Sequence, residues 1–347
     1  MLSIPSLGLL ASPLAVLAIG LSLSQAPQEP AQEQESVPEA RGEWVTIIHE
    51  NGVKAREGHL YKGRLDGPWT GWHENGKKAY EGTLEDYHRV GKWKYWRKDG
   101  YRGSEGNWAL GQRDGYWRTW WKNDGALKEQ GAYYLGERTG EWELWFENGV
   151  PQSKGSYQIG KRSGFWVTHD IDGNKMAEGS YLKDKQNGLW KRYHPNGELY
   201  FEGSFMRDKE DAQWTYWFEN GEVEGRGTYR LGKAVGNWSG YFDNGQKKYE
   251  CNYVNGIRTG LYKQWFKNGQ KRVETAMVDG KLSGDVTFWT VDGTVDTEGS
   301  GEYVDGRKPR KGGKEENPEL LGDKRQAPTI RSGATVKDGK NGKGGGL

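Results

Sequence analysis

The sequence has 347 residues, with 50 Lys and Arg against 48 Asp and Glu, and a formal net charge of +2 at pH 7. This balance argues against a protein that binds nucleic acid through its phosphates, because such proteins carry a basic excess. Only 33% of the residues are hydrophobic, yet 18 are Trp and 54 are Gly. This composition excludes a thick aliphatic core and favours a thin core of large aromatic rings.

The N-terminal segment, residues 1–26, is predicted to be a signal peptide. An apolar run from Leu7 to Leu23 precedes a small-x-small cleavage site, and no charged residue comes before Glu29. An uncleaved membrane anchor is the alternative. Residues 27–41 are rich in Gln, Glu and Pro and are predicted to be a disordered spacer. We therefore expect an exported protein, located in the periplasm, in the cell envelope or outside the cell.

Residues 42–307 consist of one unit repeated eleven times. Each unit contains an Asn-Gly or Asp-Gly pair, and successive pairs are 24 or 25 residues apart. Such a pair between aromatic runs is a strong signal for a β-hairpin, and we predict a two-residue type I′ turn at these pairs. The fourth unit has an extra residue and is predicted to form a three-residue loop, Asn123-Asp124-Gly125, instead. The pairs are Asn51-Gly52, Asn75-Gly76, Asp99-Gly100, Asp124-Gly125, Asn148-Gly149, Asp172-Gly173, Asn196-Gly197, Asn220-Gly221, Asn244-Gly245, Asn268-Gly269 and Asp292-Gly293.

A Trp and a Gly in each unit are predicted to form the structural core of the repeat. With a hairpin turn at Asn148-Gly149, Trp142 lies directly across the ladder from Gly155. A Trp ring placed over a Gly fills the space that the absent side chain leaves. The predicted core residues are Trp69, Trp93, Trp142, Trp166, Trp190, Trp214 and Trp238, with Gly82, Gly155, Gly203 and Gly227.

A second row of Trp is predicted on the opposite face of the sheet. Side chains alternate between the faces of a strand, so Trp142 and Trp145 point in opposite directions. A single sheet has no second layer to cover this face, and an exposed aromatic surface usually marks a binding site. The predicted binding residues are Trp72, Trp96, Trp120, Trp145, Trp217, Trp265 and Trp289. The alternative is that the sheet coils and these rings pack on one another.

The repeat as a whole predicts an all-β protein. Two strands in each unit, joined to the next unit by a short basic turn, give an elongated single-layer antiparallel meander of eleven tandem β-hairpins of about 24 residues each. Residues 308–347 follow this array. They are rich in Lys and Gly, and we predict that they form a disordered tail.

The residues that could carry chemistry form no catalytic or metal-binding pattern. A row of Glu precedes the Gly position, but its members have identical surroundings that would not separate two carboxyl pKa values for acid–base catalysis. The six His have no ligand spacing, so we predict no metal and no cofactor. Cys251 stands at a Gly position and is predicted to be a buried structural thiol.

The repeat also resembles a known family. The pattern Gly-x-Trp-x-x-Trp-Phe-x-Asn-Gly, followed by Gly-x-Tyr-x-x-Gly-Lys-x-x-Gly, resembles the MORN-repeat variant and matches best at Gly140–Gly164 and Gly260–Gly284. Bacterial arrays of this kind are similar to the antitoxin-type proteins of the family. The resemblance implies a curved single-layer sheet of hairpins in a bacterial protein, with roles in scaffolding, protein binding or membrane association. It supplies no catalytic residues.

Together these features favour a non-enzymatic exported scaffold that mediates protein–protein interaction through its aromatic face. Two alternatives stay open: antitoxin or immunity-type binding of a toxin, and binding of an envelope glycan or lipid by the Trp row. The partner is expected to be a protein, with a glycan or a membrane surface as the alternatives and no nucleic acid. The pattern does not indicate an oligomeric state.

Overall fold

A computed structural model of the chain describes residues 42–122 and 125–309. The predicted signal peptide and spacer lie outside this range. So do Asp124 of the pair Asp124-Gly125 and all but the first two residues of the predicted tail. Every described element is a β-strand. In chain order the strands are β1 (Glu43–Ile48), β2 (Lys54–Tyr61), β3 (Arg64–Trp72), β4 (Lys78–Glu85), β5 (His88–Trp96), β6 (Arg102–Ala109), β7 (Gln112–Trp120), β8 (Leu127–Tyr134), β9 (Glu137–Trp145), β10 (Pro151–Gln158), β11 (Lys161–His169), β12 (Lys175–Leu182), β13 (Lys185–Tyr193), β14 (Leu199–Met206), β15 (Lys209–Trp217), β16 (Val223–Arg230), β17 (Lys233–Tyr241), β18 (Lys247–Val254), β19 (Ile257–Trp265), β20 (Lys271–Val278), β21 (Lys281–Trp289) and β22 (Val295–Tyr303).

The strands form one open antiparallel sheet in meander order. Each strand pairs with the next along the chain, from β1 with β2 to β21 with β22. Within the described residues no pairing joins β1 to β22. Two strands for each repeat give eleven hairpins, so the predicted all-β, elongated repeat sheet is confirmed. None of the described residues belongs to a helix able to cross a bilayer.

The loop at each Asn-Gly pair differs from the prediction. At Asn75-Gly76 only the Gly has a positive φ, of 81°. The amide of Gly76 donates to the carbonyl of His73 at 2.8 Å, and the amide of His73 donates to the carbonyl of Lys77 at 2.8 Å. This is a three-residue loop, in which a type I turn ends in a left-handed Gly. The type I′ prediction was wrong because the Asn75 side chain accepts the Lys77 amide and so stabilises a type I turn.

Type I′ turns occur instead between successive hairpins. Leu110 and Gly111 have φ values of 51° and 72°, and Ile159 and Gly160 have 49° and 69°. These two-residue turns start each odd strand directly beside the even strand before it. The basic residues that the sequence suggested for the connecting turns therefore lie at the beginning of the odd strands, as Lys161 does in β11.

The predicted pairing of Trp with Gly across each hairpin is present. Trp142 lies opposite Gly155, and Trp69 lies opposite Gly82. The extra loop residue does not disturb this register, because a bulge between Pro151 and Ser153 absorbs it. All seven predicted core Trp are buried.

Each core Trp ring nevertheless covers a different Gly from the one predicted. A side-chain carbon added to Gly155 would lie 2.2 Å from the ring of Trp166, the core Trp of the following hairpin. The reason is a bulge in β11, where the register passes from Gly155–Trp166 to Ser156–Ser163. The indole Nε1 of Trp166 donates to the carbonyl of Ser156 at 3.1 Å, a bond that replaces the ladder contact interrupted by the bulge.

The same arrangement recurs along the array and joins each hairpin to the one before it. The indole donates to a carbonyl ten residues earlier from Trp69, Trp93, Trp117, Trp142, Trp166, Trp190, Trp214 and Trp238. Aromatic rings two residues after the Gly pack against the core Trp rings, mostly edge to face. Tyr157 and Trp166, for example, have centroids 5.1 Å apart and planes at 88°. The core is therefore a single row of rings on one face of the sheet.

Candidate functional site

The seven predicted binding Trp all lie on the face opposite this core. Each is the last residue of an odd-numbered strand, and each is half-buried. We call this row, with His169, Tyr193 and Tyr241 at the equivalent positions, the aromatic ladder. No two rings of the ladder are in ring contact among the described residues. The ladder is therefore neither an open aromatic surface nor a core of mutually packed rings.

Most rings of the aromatic ladder are covered by a cation from the preceding repeat. The cation stands 18 residues before the ring in the sequence, at the start of an even-numbered strand. The covered pairs, with the distance from the cation to the ring centroid, are Lys54 and Trp72 at 4.8 Å, Lys78 and Trp96 at 5.2 Å, Arg102 and Trp120 at 5.5 Å, Lys175 and Tyr193 at 5.5 Å, Lys247 and Trp265 at 5.4 Å, and Lys271 and Trp289 at 5.2 Å. We call these residues the capping cations.

The row of Glu seen in the sequence holds the capping cations in place. Lys78 Nζ lies 2.7 Å from Glu81 Oε2, and Lys94 on the neighbouring strand lies 2.9 Å from Glu81 Oε1. Burial acts to raise the pKa of Glu81, but the hydrogen bonds from Lys78 and Lys94 outweigh it and leave this pKa below its ordinary value. This arrangement suits ion pairing rather than proton transfer.

The capping cations are interrupted in the middle of the array. The residues at the capping positions of Trp145 and His169 are Leu127 and Pro151. In the part of the chain that the structure describes, no cation lies over the Trp145 ring. Trp217 and Tyr241 are further ladder positions whose capping residues, Leu199 and Val223, are apolar. Arg226 lies over the Tyr241 ring instead, at 5.7 Å.

A hollow of about 650 Å³ lies on this uncapped part of the ladder face. We call it the central hollow. Its apolar lining includes Trp145, Pro151, Phe165, Val167 and His169. Phe165 is 56% exposed. The Nδ1 atom of His169 is buried and has no hydrogen-bond partner among the described residues. The sheet thus presents a concavity with a largely apolar floor, beside one buried polar atom that has no partner among the described residues.

Charged side chains line the same hollow and are tied to one another. Lys154 Nζ donates to Glu143 Oε1 at 2.9 Å, and Gln130 Nε2 donates to Glu143 Oε2 at 2.7 Å. The bond from Lys154 lowers the pKa of Glu143, and the same bond raises the pKa of Lys154. Glu141 is also close, with its carboxylate 3.8 Å from Lys154 Nζ. The charges are fixed at neutral pH and frame an apolar floor.

The other residues that could carry chemistry are the His and Cys251. No group of three or more His, Cys, Asp and Glu among the described residues is placed to hold a metal ion. Cys251 is buried, as predicted, and burial raises the pKa of its thiol to about 11. A thiol that stays protonated at neutral pH is a poor nucleophile.

Sequence reasoning found the aromatic ladder and missed the capping cations. The signal was present, because Lys or Arg recurs 18 residues before most ladder rings. The strand register is needed to interpret this spacing, because the cation and the ring lie on strands of two successive repeats. Without the capping cations, the seven Trp were equivalent, and the central hollow could not be distinguished from its neighbours.

Comparison with known proteins gives one family. The family model described as the MORN repeat variant matches residues 65–86, 138–158, 186–206 and 234–255, and no curated protein matches. Solved structures similar to the chain include a TcdB2-TccC3-Cdc42 structure, at 12% identity over 71% of this chain and 15% of that chain with a TM-score of 0.18. Another is the Photorhabdus luminescens Tc holotoxin pore with the mutation TccC3-D651A, at 12% identity over 73% and 18% with a TM-score of 0.13. The chain spans less than a fifth of these structures, and at such TM-scores the likeness does not bear on function.

Proposed function

Since this chain is a repeat protein of the MORN variant, we propose that it is an exported, non-enzymatic scaffold that binds a protein partner at the central hollow. The observation that carries the proposal is the interruption of the capping cations at Leu127 and Pro151. It coincides with a hollow of about 650 Å³ on the same face. At the six capped rings of the ladder a ligand must displace a cation before it can reach the ring.

The energetic contrast between capped and uncapped rings supports this location. A cation over an exposed ring contributes about 0.5–1 kcal/mol, and the partner Glu adds up to about 1 kcal/mol. A ligand at Trp72 would lose both contributions, because Lys54 covers this ring and pairs with Glu57. A ligand at Trp145 loses neither. The same apolar contact is therefore more favourable at Trp145 than at the capped ladder rings.

The form of the central hollow fits a protein anchor. Binding energy in protein interfaces concentrates where an aromatic or aliphatic side chain enters a water-excluding pocket that has a polar rim. Phe165 and Val167 provide an apolar floor, and Glu143 and Lys154 provide a charged rim. A volume of 650 Å³ accommodates one or two large side chains. We expect the partner to insert such an anchor and to extend over neighbouring repeats.

Capture from an envelope extract tests the proposal with two matched variants of the full chain. Trp145→Ala removes the uncapped ring, and Trp265→Ala removes a ring that Lys247 covers. Both rings are half-buried ends of odd strands, so the two variants should be equally folded by circular dichroism. We expect a protein that the parent and Trp265→Ala capture and Trp145→Ala loses. Equal capture by all three would contradict the site.

Two other ligand classes correspond to other outcomes of the capture experiment. If the captured protein is a toxin whose activity the chain abolishes, the antitoxin alternative is correct. If no protein is captured, glycan or lipid binding becomes the better reading, because a sugar ring can stack on Trp145 and hydrogen-bond to Glu143 and Lys154. A glycan would then quench the Trp fluorescence of the parent more than that of Trp145→Ala.

A further inference from the structure

The two ends of the sheet are finished differently. At the C-terminal edge the chain satisfies its own backbone: Lys308 Nζ donates to the carbonyls of Glu298, at 2.6 Å, and Ser300. Asp296 accepts the amides of Glu298 and Gly299 at 3.1 and 2.9 Å. Charged side chains and irregular backbone are the usual means by which proteins prevent an edge strand from pairing.

Among the described residues, the N-terminal edge strand β1 has no such protection. Only β2 pairs with β1 in the described part of the chain. The strand reads Glu-Trp-Val-Thr-Ile-Ile, with Trp44 and Ile48 each 52% exposed and Ile47 38% exposed. These are β-branched and aromatic residues, which favour strands, and a regular edge strand of this kind is a template for another strand. The residues just before it, 27–40, contain three Pro and no alternating apolar pattern.

From this asymmetry we infer that β1 pairs with β1 of a second copy of the chain, across a two-fold axis, to form a dimer with one continuous sheet. Every neighbouring pair in the sheet is antiparallel, and a two-fold axis perpendicular to a sheet generates an antiparallel pair. The dimer therefore continues the geometry that the array already has. The inference does not depend on the proposed ligand of the central hollow.

The sequence of β1 selects the register of the pair. Symmetry and side-chain alternation require the axis to pass midway between one residue and its copy in the partner subunit. An axis at Thr46 places Trp44 opposite Ile48 of the partner subunit and Val45 opposite Ile47 of the partner subunit. The two Thr46 face each other, and Glu43 comes opposite His49 of the partner subunit. Cross-strand pairs of these kinds are favourable. An axis at Val45 would instead place Glu43 opposite Ile47 of the partner subunit.

Two further features agree with the axis at Thr46. Thr46 is exposed in the single chain, so it is free to face its symmetry mate. The exposed apolar residues of β1 fall on both faces, with Trp44 and Ile48 on one and Ile47 on the other. A second strand beside β1 covers residues on both faces at once, whereas a ligand on one face would cover only half of them.

Analytical ultracentrifugation of the full chain over a concentration series tests for the dimer. We expect a monomer–dimer equilibrium, and we expect Thr46→Lys to weaken it by about tenfold or more, because two like charges would lie directly opposite each other. Thr46 is exposed, so the variant should keep the circular dichroism of the parent. A parent that stays monomeric up to its solubility limit, or a dimer that Thr46→Lys leaves unchanged, would overturn the inference.

Disulfide trapping tests the register independently. Opposite residues of an antiparallel pair have Cα atoms about 4.5–5.5 Å apart, within the range of a disulfide. Thr46→Cys should therefore form a covalent dimer on mild oxidation, and Val45→Cys should not. Both variants also contain Cys251, which is buried, so any crosslinking through Cys251 is the same in the two variants. Trapping by Val45→Cys alone, or by neither variant, would exclude the axis at Thr46.

Discussion

At the scale of single residues, the array is held together by a rule that links positions 11 apart. Each Gly at the small core position is followed 11 residues later by a Trp, from Gly58 with Trp69 to Gly227 with Trp238. Where the small position is larger, the later residue is smaller: Cys251 is followed by Tyr262, and Thr275 by Val286. The rule agrees with the rings lying over the Gly of the preceding hairpin.

This rule is visible in the sequence, but it is missed when each Trp is paired only with the Gly of its own hairpin. Pairing within the hairpin couples Trp238 to Cys251, which gives no reason for the size exchange. Pairing between hairpins couples Cys251 to Tyr262 and explains it. The difference depends on the bulge at the start of each odd strand, whose Gly has a positive φ, such as 73° at Gly164. Short-range patterns indicate hairpins well and indicate bulges poorly.

We predict that Gly155→Ala destabilises the protein and that a change at Trp166 rescues it. The added methyl carbon would lie 2.2 Å from the Trp166 ring, and overpacking of this kind costs about 1–3 kcal/mol. Trp166→Val in the same chain should recover part of the loss, as the natural pair Thr275–Val286 suggests. Urea unfolding of the four chains of this cycle measures the coupling. Rescue by Trp142→Val instead of Trp166→Val would show that the ring belongs to its own hairpin.

At the scale of strands and turns, each repeat is tied to the next by side chains on both faces. On the turn edge, the Asn75 amide donates to the carbonyl of Lys98 in the following loop at 2.6 Å. On the ladder face, Lys78 bridges Glu81 and Trp96. Strand number, strand order and face assignment followed from the 24-residue period and the alternation of side chains. The turn types did not follow from the sequence, because a left-handed Gly occurs both in the three-residue loops, such as Gly76, and in most of the two-residue turns, such as Gly111.

The Glu that hold the capping cations predict an acid-labile sheet. The pKa values of Glu81, Glu178 and Glu274, which hold capping cations, and of Glu143, which pairs with Lys154, all lie below the ordinary 4.5 in the folded protein. A depressed carboxyl pKa contributes stability above the unfolded value, and this stability is lost as pH falls through the folded value. The free energy of unfolding should therefore decrease as pH is lowered from about 5 towards 3.

Urea unfolding at a series of pH values checks this dependence. Glu81→Gln removes one of these carboxylates, so the variant should be less stable at pH 7 and its stability should change less between the two ends of the series. Two results would show that these ion pairs do not contribute to folding. One is a parent whose free energy of unfolding stays constant as the pH is lowered from 7 to 3, and the other is a Glu81→Gln variant with the same pH dependence as the parent.

At the scale of the whole chain, the sheet provides a regular scaffold whose ladder is uncapped at Trp145 and His169, beside the central hollow, and again at Trp217. The fold could be predicted because the same pattern of turn, Trp and Gly recurs in eleven units at a fixed period. A unit that departs from the pattern can therefore be assigned by comparison with the others. The candidate site could be predicted only as a row of seven Trp. Its centre depends on two exceptions to the repeat, Leu127 and Pro151, whose effect appears only when the register places them beside Trp145 and His169.

The most direct test of the proposed binding site is to restore the missing cation at the capping position of His169. Pro151→Lys gives this repeat the residue that the equivalent position has at Lys54, Lys78 and Lys175. It places a cation at the central hollow, replaces the Pro151 ring and leaves the rings of Trp145, Phe165 and His169 in the lining. With the captured partner in hand, its dissociation constant is measured by titration against the parent, Pro151→Lys and Trp265→Ala. We predict binding about tenfold or more weaker for Pro151→Lys and unchanged for Trp265→Ala. Unchanged binding by Pro151→Lys would contradict the claim that the gap in the capping cations forms the binding site.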